Sequence, residues 1–144
     1  MANKASIPGA GWTMKTRVLV IEDDFFQCEL YRVWLLEILK PSGDVLVEII
    51  GNGRDAEQAL KEHSYDITFM DLAVPNVSGP VLVSKFRSRM GRLVIVSSYP
   101  EASPAACKAA DRVIQKPVNI SDLVSELKIV VGGNPCVKIG RAHV

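Results

Sequence analysis

The chain has 144 residues, of which 48% are hydrophobic and 23% are charged, and it carries a formal net charge of +1. This length suits one domain with its own core, so we expect no separate effector domain. The near-neutral charge argues against direct binding of nucleic acid, and no apolar run approaches the ~20 residues of a membrane-spanning helix.

The two ends of the chain and its cysteines add further expectations. Residues 1–14 form a polar stretch with Gly and Pro but without the apolar core of a secretory signal, which predicts a flexible leader and a cytoplasmic protein. Residues 132–144 begin with Gly-Gly-Asn-Pro and are predicted to form a flexible tail. Cys28, Cys107 and Cys136 have no metal-site or paired spacing, so we predict free thiols.

Apolar runs of strand length alternate along the chain with segments of helical periodicity. The first unit is a strand over 17–21 and a helix over 25–40. The helix is predicted from apolar residues at helical spacing, namely Phe26, Leu30, Val33, Trp34 and Ile38. After a break at 41–43, a strand over 44–50 leads to an amphipathic helix that follows Gly53.

Two further units follow in the same order. A strand over 65–70 leads through a loop at 75–79 to a helix near 80–90. A strand over 92–96 then precedes a short Ala-rich helix over 102–110.

The last unit completes the pattern that defines the fold. A strand over 112–115 leads to a helix that Ser121 is predicted to cap and that extends through Val130. Five strands alternating with five helices specify parallel pairing, right-handed crossovers and helices on both faces of the sheet. The predicted fold is therefore a doubly wound α/β domain with a five-stranded parallel sheet over 15–131.

Polar side chains directly follow four of the predicted strands. The carboxyl ends of parallel strands converge on one crevice in an open α/β sheet, so residues far apart in sequence can form one site. The set offers two or three carboxylates for a hard cation such as Mg²⁺, and a further carboxylate, a hydroxyl and an ammonium group that suit a phosphoryl group. The residues are Glu22, Asp23 and Asp24 after the first strand, Asp71 after the third, Ser97 after the fourth and Lys116 after the fifth.

Four segments at these strand ends carry a resemblance to a known family. They are VLVIEDD at 18–24, FMDLAVPNVSG at 69–79, VIVSS at 94–98 and QKP at 115–117. In this order and at these positions they resemble the receiver domains of two-component response regulators, whose fold is the flavodoxin-like, CheY-like (βα)5 arrangement. The resemblance spans nearly the whole chain.

The resemblance implies a phosphorylation switch. Asp71 would accept a phosphoryl group from a sensor histidine kinase or a histidine phosphotransfer protein, with Mg²⁺ or Mn²⁺ bound alongside. Asp23 would bind the metal directly, Glu22 would bind it directly or through water, and the carboxylate of Asp71 would be a further ligand. In the family a backbone carbonyl two residues beyond the acceptor also binds the metal, which here implies Ala73.

The resemblance also assigns roles around the phosphoryl group. Lys116 would supply a positive charge to the phosphoryl group and to the acceptor carboxylate, and the Ser97 hydroxyl would donate to a phosphoryl oxygen. Pro117 would follow Lys116 through the cis peptide typical of the family. Ser98 has a small side chain that leaves the site open to phosphodonors.

The chain departs from the family pattern at two places. Val113, three residues before Lys116, stands where many receivers have an aromatic side chain whose rotamer reports phosphorylation. The segment 97–116 is shorter than typical by about one helical turn, which predicts a small or distorted fourth helix. Because this region often forms the dimer face in the family, we expect a monomer or a weak homodimer.

These features together predict a stand-alone receiver that is not an enzyme. It would bind a downstream protein in a phosphorylation-dependent manner, or pass the phosphoryl group onward in a relay.

Two other functions stay open. Val113 and the short fourth helix would suit a receiver-like module that binds its partner without phosphorylation, although the presence of all the site residues argues against it. A Mg²⁺-dependent phosphohydrolase with Asp71 as its nucleophile is the second alternative. The sequence offers neither a second acid/base group in a DxD arrangement nor an insertion large enough for a substrate cap.

Overall fold

The computed structural model describes residues 16–39 and 45–131. Strands and helices alternate throughout this part of the chain, which confirms the predicted α/β pattern. The elements are β1 (Thr16–Ile21), α1 (Phe25–Leu39), β2 (Val45–Ile50), α2 (Gly53–Glu62), β3 (Ile67–Met70), α3 (Gly79–Phe86), β4 (Arg92–Ser97), α4 (Pro104–Ala109), β5 (Arg112–Gln115) and α5 (Ile120–Val131). The predicted leader, the break at 41–43 and the predicted tail with Cys136 lie outside the described residues.

The five strands form one parallel sheet in the order β2-β1-β3-β4-β5. β1 lies between β2 and β3, so that Val18 is in register with Val47 on one side and with Ile67 on the other. The doubly wound fold is therefore confirmed. The strand order reverses beside β1, and in this architecture the crevice at such a reversal lies at the carboxyl ends of the strands and is where ligands bind.

Alternate residues of each central strand pack into two apolar clusters, one on each face of the sheet. This alternation follows from the strand geometry, which points successive side chains to opposite faces. The cluster beneath α1 and α5 contains the strand residues Val18, Val20, Ile67, Phe69, Val94, Val96 and Ile114. The cluster beneath α2, α3 and α4 contains the strand residues Leu19, Ile21, Met70, Leu93 and Ile95. Burial on both faces explains why these strands are continuous apolar runs.

The third strand is shorter than predicted. It begins at Ile67 rather than at Tyr65, because the amide of Tyr65 bonds to the turn after α3 and not to a neighbouring strand. The amide of Tyr65 donates to the carbonyl of Arg89, and the carboxylate of Asp66 accepts from the amide of Arg17. Residues 65 and 66 thus close the amino-terminal end of the sheet.

Two helix ends also differ from the prediction. α3 ends at Phe86 and is followed by a 3₁₀ turn over Arg87–Arg89. α5 begins at Ile120, so Ser121 lies inside the helix and is not its cap. The cap is Asn119, whose side-chain oxygen accepts from the amide of Asp122 at 3.0 Å.

The first helix is confirmed, but its apolar spacing does not mark its buried face. Phe26, Leu30 and Val33 are exposed to solvent. The residues that pack against the sheet are Tyr31, Leu35, Ile38 and Leu39. α1 is therefore apolar on both its inner and its outer side.

The fourth helix is small, as predicted. It has six residues, with Pro104 at its first position, and a 3₁₀ turn over Pro100–Ala102 precedes it. None of the helices within residues 16–39 and 45–131 has the length and apolar character needed to cross a bilayer.

Candidate functional site

The ladder of the parallel sheet brings the predicted site residues to one edge. Ile21 and Met70 are partners in the β1–β3 register, so Glu22 and Asp71 follow neighbouring strand ends. The amide of Asp71 continues this ladder by donating to the carbonyl of Ile21 at 2.9 Å. The amide of Lys116 likewise donates to the carbonyl of Ser97 at 2.9 Å.

Three carboxylates meet at this edge. Oxygens of Glu22, Asp23 and Asp71 all lie within 4.8 Å of one another. Glu22 and Asp71 are buried, whereas Asp23 is exposed. Carboxylate oxygens so grouped match the preference of hard divalent cations such as Mg²⁺ for oxygen ligands, so the residues fit a metal of this class.

Lys116 provides the positive charge of the site. Its ammonium nitrogen lies 2.9 Å from Glu22 Oε1 and 2.9 Å from Asp71 Oδ2. Burial alone would lower the pKa of Lys116, but its hydrogen bonds to the two carboxylates hold this pKa above its usual value. One ammonium group thus faces three carboxylates, which leaves an excess of negative charge that a bound cation would balance.

Glu22 is the most strongly constrained of the three carboxylates. Burial raises its pKa above the usual value, and the contacts with Lys116 and the amide of Asp24 offset this only in part. The amide of Asp24 donates to Glu22 Oε2 at 3.1 Å. The side chain of Asp24 turns the other way and accepts from the amide of Gln27, so Asp24 caps α1.

The carboxylate of Asp71 is held at both oxygens. Oδ2 contacts Lys116, and Oδ1 accepts from the amide of Ala73 at 3.1 Å. The structure therefore places Ala73 directly beside the predicted acceptor. The role of its carbonyl as a metal ligand stays a prediction.

Ser97 lies at the end of β4 and is buried. Its Oγ accepts a hydrogen bond from the amide of Tyr99 at 3.1 Å. A cavity of about 370 Å³ opens beside it, between the loops that follow β3 and β4. The cavity is lined by Asp71, Leu72, Ala73, Ser97, Ser98, Tyr99, Ala102 and Ser103.

The remaining predicted positions lie around this site. The Lys116–Pro117 peptide is cis, as the resemblance implies. Ser98 is exposed, and its carbonyl accepts from the side chain of Gln115 at 3.4 Å. Val113 lies on β5 and is partly exposed.

Sequence reasoning missed two residues that contact the site. The thiol of Cys28 donates to the carbonyl of Glu22 at 3.0 Å, and Tyr99 contacts Ser97 through its amide. Cys28 lies one helical turn after Asp24, a spacing that could have indicated it. For Tyr99 the available signal was its position two residues beyond Ser97.

Comparison with known proteins places the chain among signalling proteins. A family model described as the response regulator receiver domain matches residues 18–128.

Two curated relatives have similar sequences over most of this chain. The transcriptional regulatory protein PdtaR of Mycobacterium tuberculosis is 29% identical over 119 residues, which is 80% of this chain and 56% of the relative. The response regulator ArlR of Staphylococcus aureus is 25% identical over 124 residues, which is 83% of this chain and 54% of the relative. The chain thus spans about half the length of the curated relatives it matches.

Solved structures show the same fold. A CheY-like response regulator receiver domain from Methylobacillus flagellatus is 27% identical, with a TM-score of 0.67 over 81% of this chain and 98% of that chain. The response regulator TrrA from Thermotoga maritima, determined in complex with Mg²⁺-BeF, is 24% identical, with a TM-score of 0.64 over 80% of this chain and 98% of that chain.

Proposed function

The chain belongs to the response regulator receiver domain family, and from this premise we propose that it is a phosphorylation switch whose acceptor is Asp71. The observation that carries the proposal is the position of Lys116, whose ammonium group joins Asp71 to Glu22 within the carboxylate cluster. At the carboxyl end of the sheet, that arrangement offers a nucleophilic oxygen, a fixed positive charge and oxygen ligands for a cation.

The proposed step transfers a phosphoryl group from a phosphohistidine of a sensor kinase or a phosphotransfer protein. An oxygen of Asp71 attacks the phosphorus, so that a P–O bond forms while the P–N bond breaks and its electron pair stays on the imidazole. The product is an acyl phosphate on Asp71. A carboxylate and a phosphoryl group repel each other, so charge neutralisation is the main requirement.

The residues of the site meet this requirement in different ways. The amide of Ala73 orients the Asp71 carboxylate. Lys116 offsets negative charge on the carboxylate and on the incoming phosphoryl oxygens. Glu22, Asp23 and Asp71 would hold Mg²⁺ or Mn²⁺, with the Ala73 carbonyl as a further ligand. The cation, when bound, would neutralise phosphoryl oxygens during the transfer.

The likeness to TrrA supports the proposed metal. That protein was determined with Mg²⁺ and BeF, and the cluster of Glu22, Asp23 and Asp71 offers oxygen ligands suited to the same cation.

The proposed partners follow from the switch. Beside a histidine kinase or a phosphotransfer protein as the donor, we propose a downstream protein that distinguishes the two states of Asp71, or an onward relay of the phosphoryl group. The chain would then be a signalling protein of the cytoplasm that releases only its own phosphoryl group, and not an enzyme acting on separate substrates.

The exposed side of α1 gives the donor an apolar surface next to the site. Phe25 and Phe26 follow the acidic cluster directly, and Leu30 and Val33 continue the surface along the helix. Such a surface would favour contact with an apolar helix face of a donor protein.

The test is intact mass after incubation with acetyl phosphate or phosphoramidate. With Mg²⁺ present, the native chain should gain the mass of one phosphoryl group, and Asp71→Asn should gain none. Asp24→Asn is the matched control, because Asp24 adjoins the carboxylate cluster in sequence but caps α1, and this variant should gain the phosphoryl group as the native chain does. Phosphorylation of Asp71→Asn would refute the assignment of the acceptor.

One alternative has support from this chain. Val113 has no ring to change rotamer and α4 has only six residues, which would suit a module that binds its partner without phosphorylation. Equal affinity for a captured partner with and without phosphoramidate would favour that alternative, whereas a difference would favour the switch.

A further inference from the structure

Val113 leaves the switch without the aromatic reporter expected on β5. Its side chain is partly exposed, and a valine has no ring that could move between an outer and an inner position. If Asp71 is phosphorylated as proposed, another residue must carry the signal to the surface. That residue must respond to Ser97, which lies beside the phosphoryl position.

Tyr99 is hydrogen-bonded to Ser97 in the structure. The amide of Tyr99 donates to Ser97 Oγ at 3.1 Å. A serine side chain has one hydroxyl proton to donate, and a change of rotamer about its Cα–Cβ bond moves the oxygen itself to a new position. Turning Oγ toward a phosphoryl oxygen, as a charge-assisted hydrogen bond would favour, therefore removes the acceptor that holds the Tyr99 amide.

The ring of Tyr99 is exposed before any such change. Its exposed fraction is 72%, the largest among the tyrosines, since Tyr31 and Tyr65 are buried. The Tyr99 hydroxyl makes no hydrogen bond to any of the residues that the structure describes. A largely exposed ring gains from moving to a buried position, which the hydrophobic effect favours.

A space for the ring exists beside it. Tyr99 lines the cavity of about 370 Å³ that also contains Asp71 and Ser97. At roughly 30 Å³ per water this volume equals that of about twelve waters, which exceeds a phenol group. Apart from Leu72, the other walls carry small side chains, namely Ala73, Ser98, Ala102 and Ser103.

We infer that Tyr99 is the reporter of this switch. Phosphorylation of Asp71 draws the Ser97 hydroxyl to the phosphoryl group, the Tyr99 amide is released, and the ring moves into the cavity. The surface before α4 thereby loses an exposed aromatic side chain, which a downstream protein can distinguish. The inference rests on the proposed phosphorylation of Asp71.

The test is ¹⁹F NMR of the full chain labelled with 3-fluorotyrosine. The three tyrosines give three signals, and Tyr99→Phe identifies the signal of Tyr99. A soluble gadolinium chelate should relax this signal strongly in the unphosphorylated protein. With Mg²⁺ and excess phosphoramidate we expect a severalfold weaker relaxation of the Tyr99 signal, whereas the Tyr31 and Tyr65 signals stay protected and report that the chain is folded.

Two matched variants test the link to Ser97. In Ser97→Ala the amide of Tyr99 has lost its acceptor, so the Tyr99 signal should be protected without phosphoramidate and should respond little to it. Ser98→Ala removes a hydroxyl from the same cavity that does not bind this amide, so it should respond as the native chain does.

The outcomes separate the two proposals. If mass spectrometry of the same sample shows no phosphoryl group on Asp71, the proposed function fails, and the inference falls with its trigger. If Asp71 is phosphorylated and the Tyr99 signal stays equally accessible, only the inference fails. Identical behaviour of the Ser97→Ala and Ser98→Ala variants would also overturn it.

Discussion

Two glutamates show that burial of the same side chain can have opposite consequences. Glu22 and Glu126 are exposed by only 1% and 2%. Glu126 accepts from the guanidinium groups of Arg92 and Arg112, so its charge is matched by two cations. Glu22 shares the single ammonium of Lys116 with Asp71. The charge of Glu126 therefore stabilises the fold, whereas the negative charge around Glu22 is only partly neutralised in the metal-free protein.

Glu22→Gln should stabilise the metal-free fold. Burial raises the pKa of Glu22 in the folded state, and a carboxyl with a raised folded pKa favours folding only while protonated, so its ionised form opposes folding at neutral pH. We expect a melting temperature in EDTA about 4 °C higher, the shift that ~1 kcal/mol produces in a domain of this size. The gain should shrink as the pH is lowered and the native Glu22 becomes protonated.

Glu126→Gln is the matched control, because it makes the same change at an equally buried position. It leaves two guanidinium groups facing a neutral amide, so the free energy of unfolding should fall by about 2 kcal/mol. Calorimetry on both variants checks the pair. A loss of stability in Glu22→Gln would contradict the unbalanced charge inferred at the site.

The sequence predicted the site residues but not all of their contacts. Glu22, Asp71 and Lys116 could be identified because each follows an apolar run that ends at the carboxyl edge of the sheet. The double contact of Lys116 and the hydrogen bond between Ser97 and Tyr99 depend on side-chain rotamers and loop geometry. Those are set by packing between distant segments, which spacing along the chain does not specify.

At the scale of elements, α1 shows that hydrophobic periodicity can predict a helix without identifying its buried face. Phe26, Leu30 and Val33 predict the helix, yet they lie on its outer side. The buried side is equally apolar, and the outer side mixes apolar residues with charged ones such as Arg32, so no continuous polar face distinguishes the two sides. Hydrophobic periodicity identifies a face only where the opposite face is polar.

Leu30→Ala and Leu35→Ala should separate the two sides of α1. Leu35 is fully buried, so its truncation should lower the free energy of unfolding by about 3 kcal/mol, as for buried leucines generally. Leu30 is partly exposed, and its truncation should change stability by about 0.5 kcal/mol or less. Urea unfolding of the two variants, which carry the same chemical change in one helix, measures the difference. Equal losses would show that the outer side of α1 is covered in solution.

The start of α2 contacts a loop that lies more than twenty residues later in the chain. The amide of Gly53 donates to the carbonyl of Pro75 at 2.8 Å. A Cβ atom at Gly53 would lie 1.8 Å from the carbonyl oxygen of Val77, so only glycine allows this approach. The loop that follows Asp71 is thus packed against the second helix.

At the scale of the whole molecule, the two ends of the sheet differ in charge balance. At the amino-terminal end Arg17 pairs with Glu48, and Arg87 pairs with Asp111. At the carboxyl end three carboxylates surround one lysine. The alternation of strands and helices predicted that such an edge exists. The strand order that brings β1, β3 and β5 to it results from long-range pairing, which the sequence pattern did not specify.

The charge imbalance predicts that Mg²⁺ stabilises the whole domain. A ligand that binds only the folded state adds stability in proportion to the logarithm of its concentration, about 2.7 kcal/mol at a concentration of 100 times the Kd. The melting temperature of the native chain should therefore rise with Mg²⁺ at constant ionic strength and return to its starting value in EDTA.

Two neighbouring variants locate the effect of Mg²⁺. Asp23 is exposed and belongs to the carboxylate cluster, so Asp23→Asn should keep the metal-free melting temperature and lose most of the rise. Asp24 lies outside the cluster, and asparagine caps a helix as well as aspartate does. Asp24→Asn should therefore show the same rise in melting temperature with Mg²⁺ as the native chain. Thermal unfolding over a Mg²⁺ series compares them, with matched KCl to exclude screening. An equal rise in both variants would place the bound cation elsewhere, because of these two residues only Asp23 contributes an oxygen to the carboxylate cluster, whose negative charge Lys116 does not fully balance.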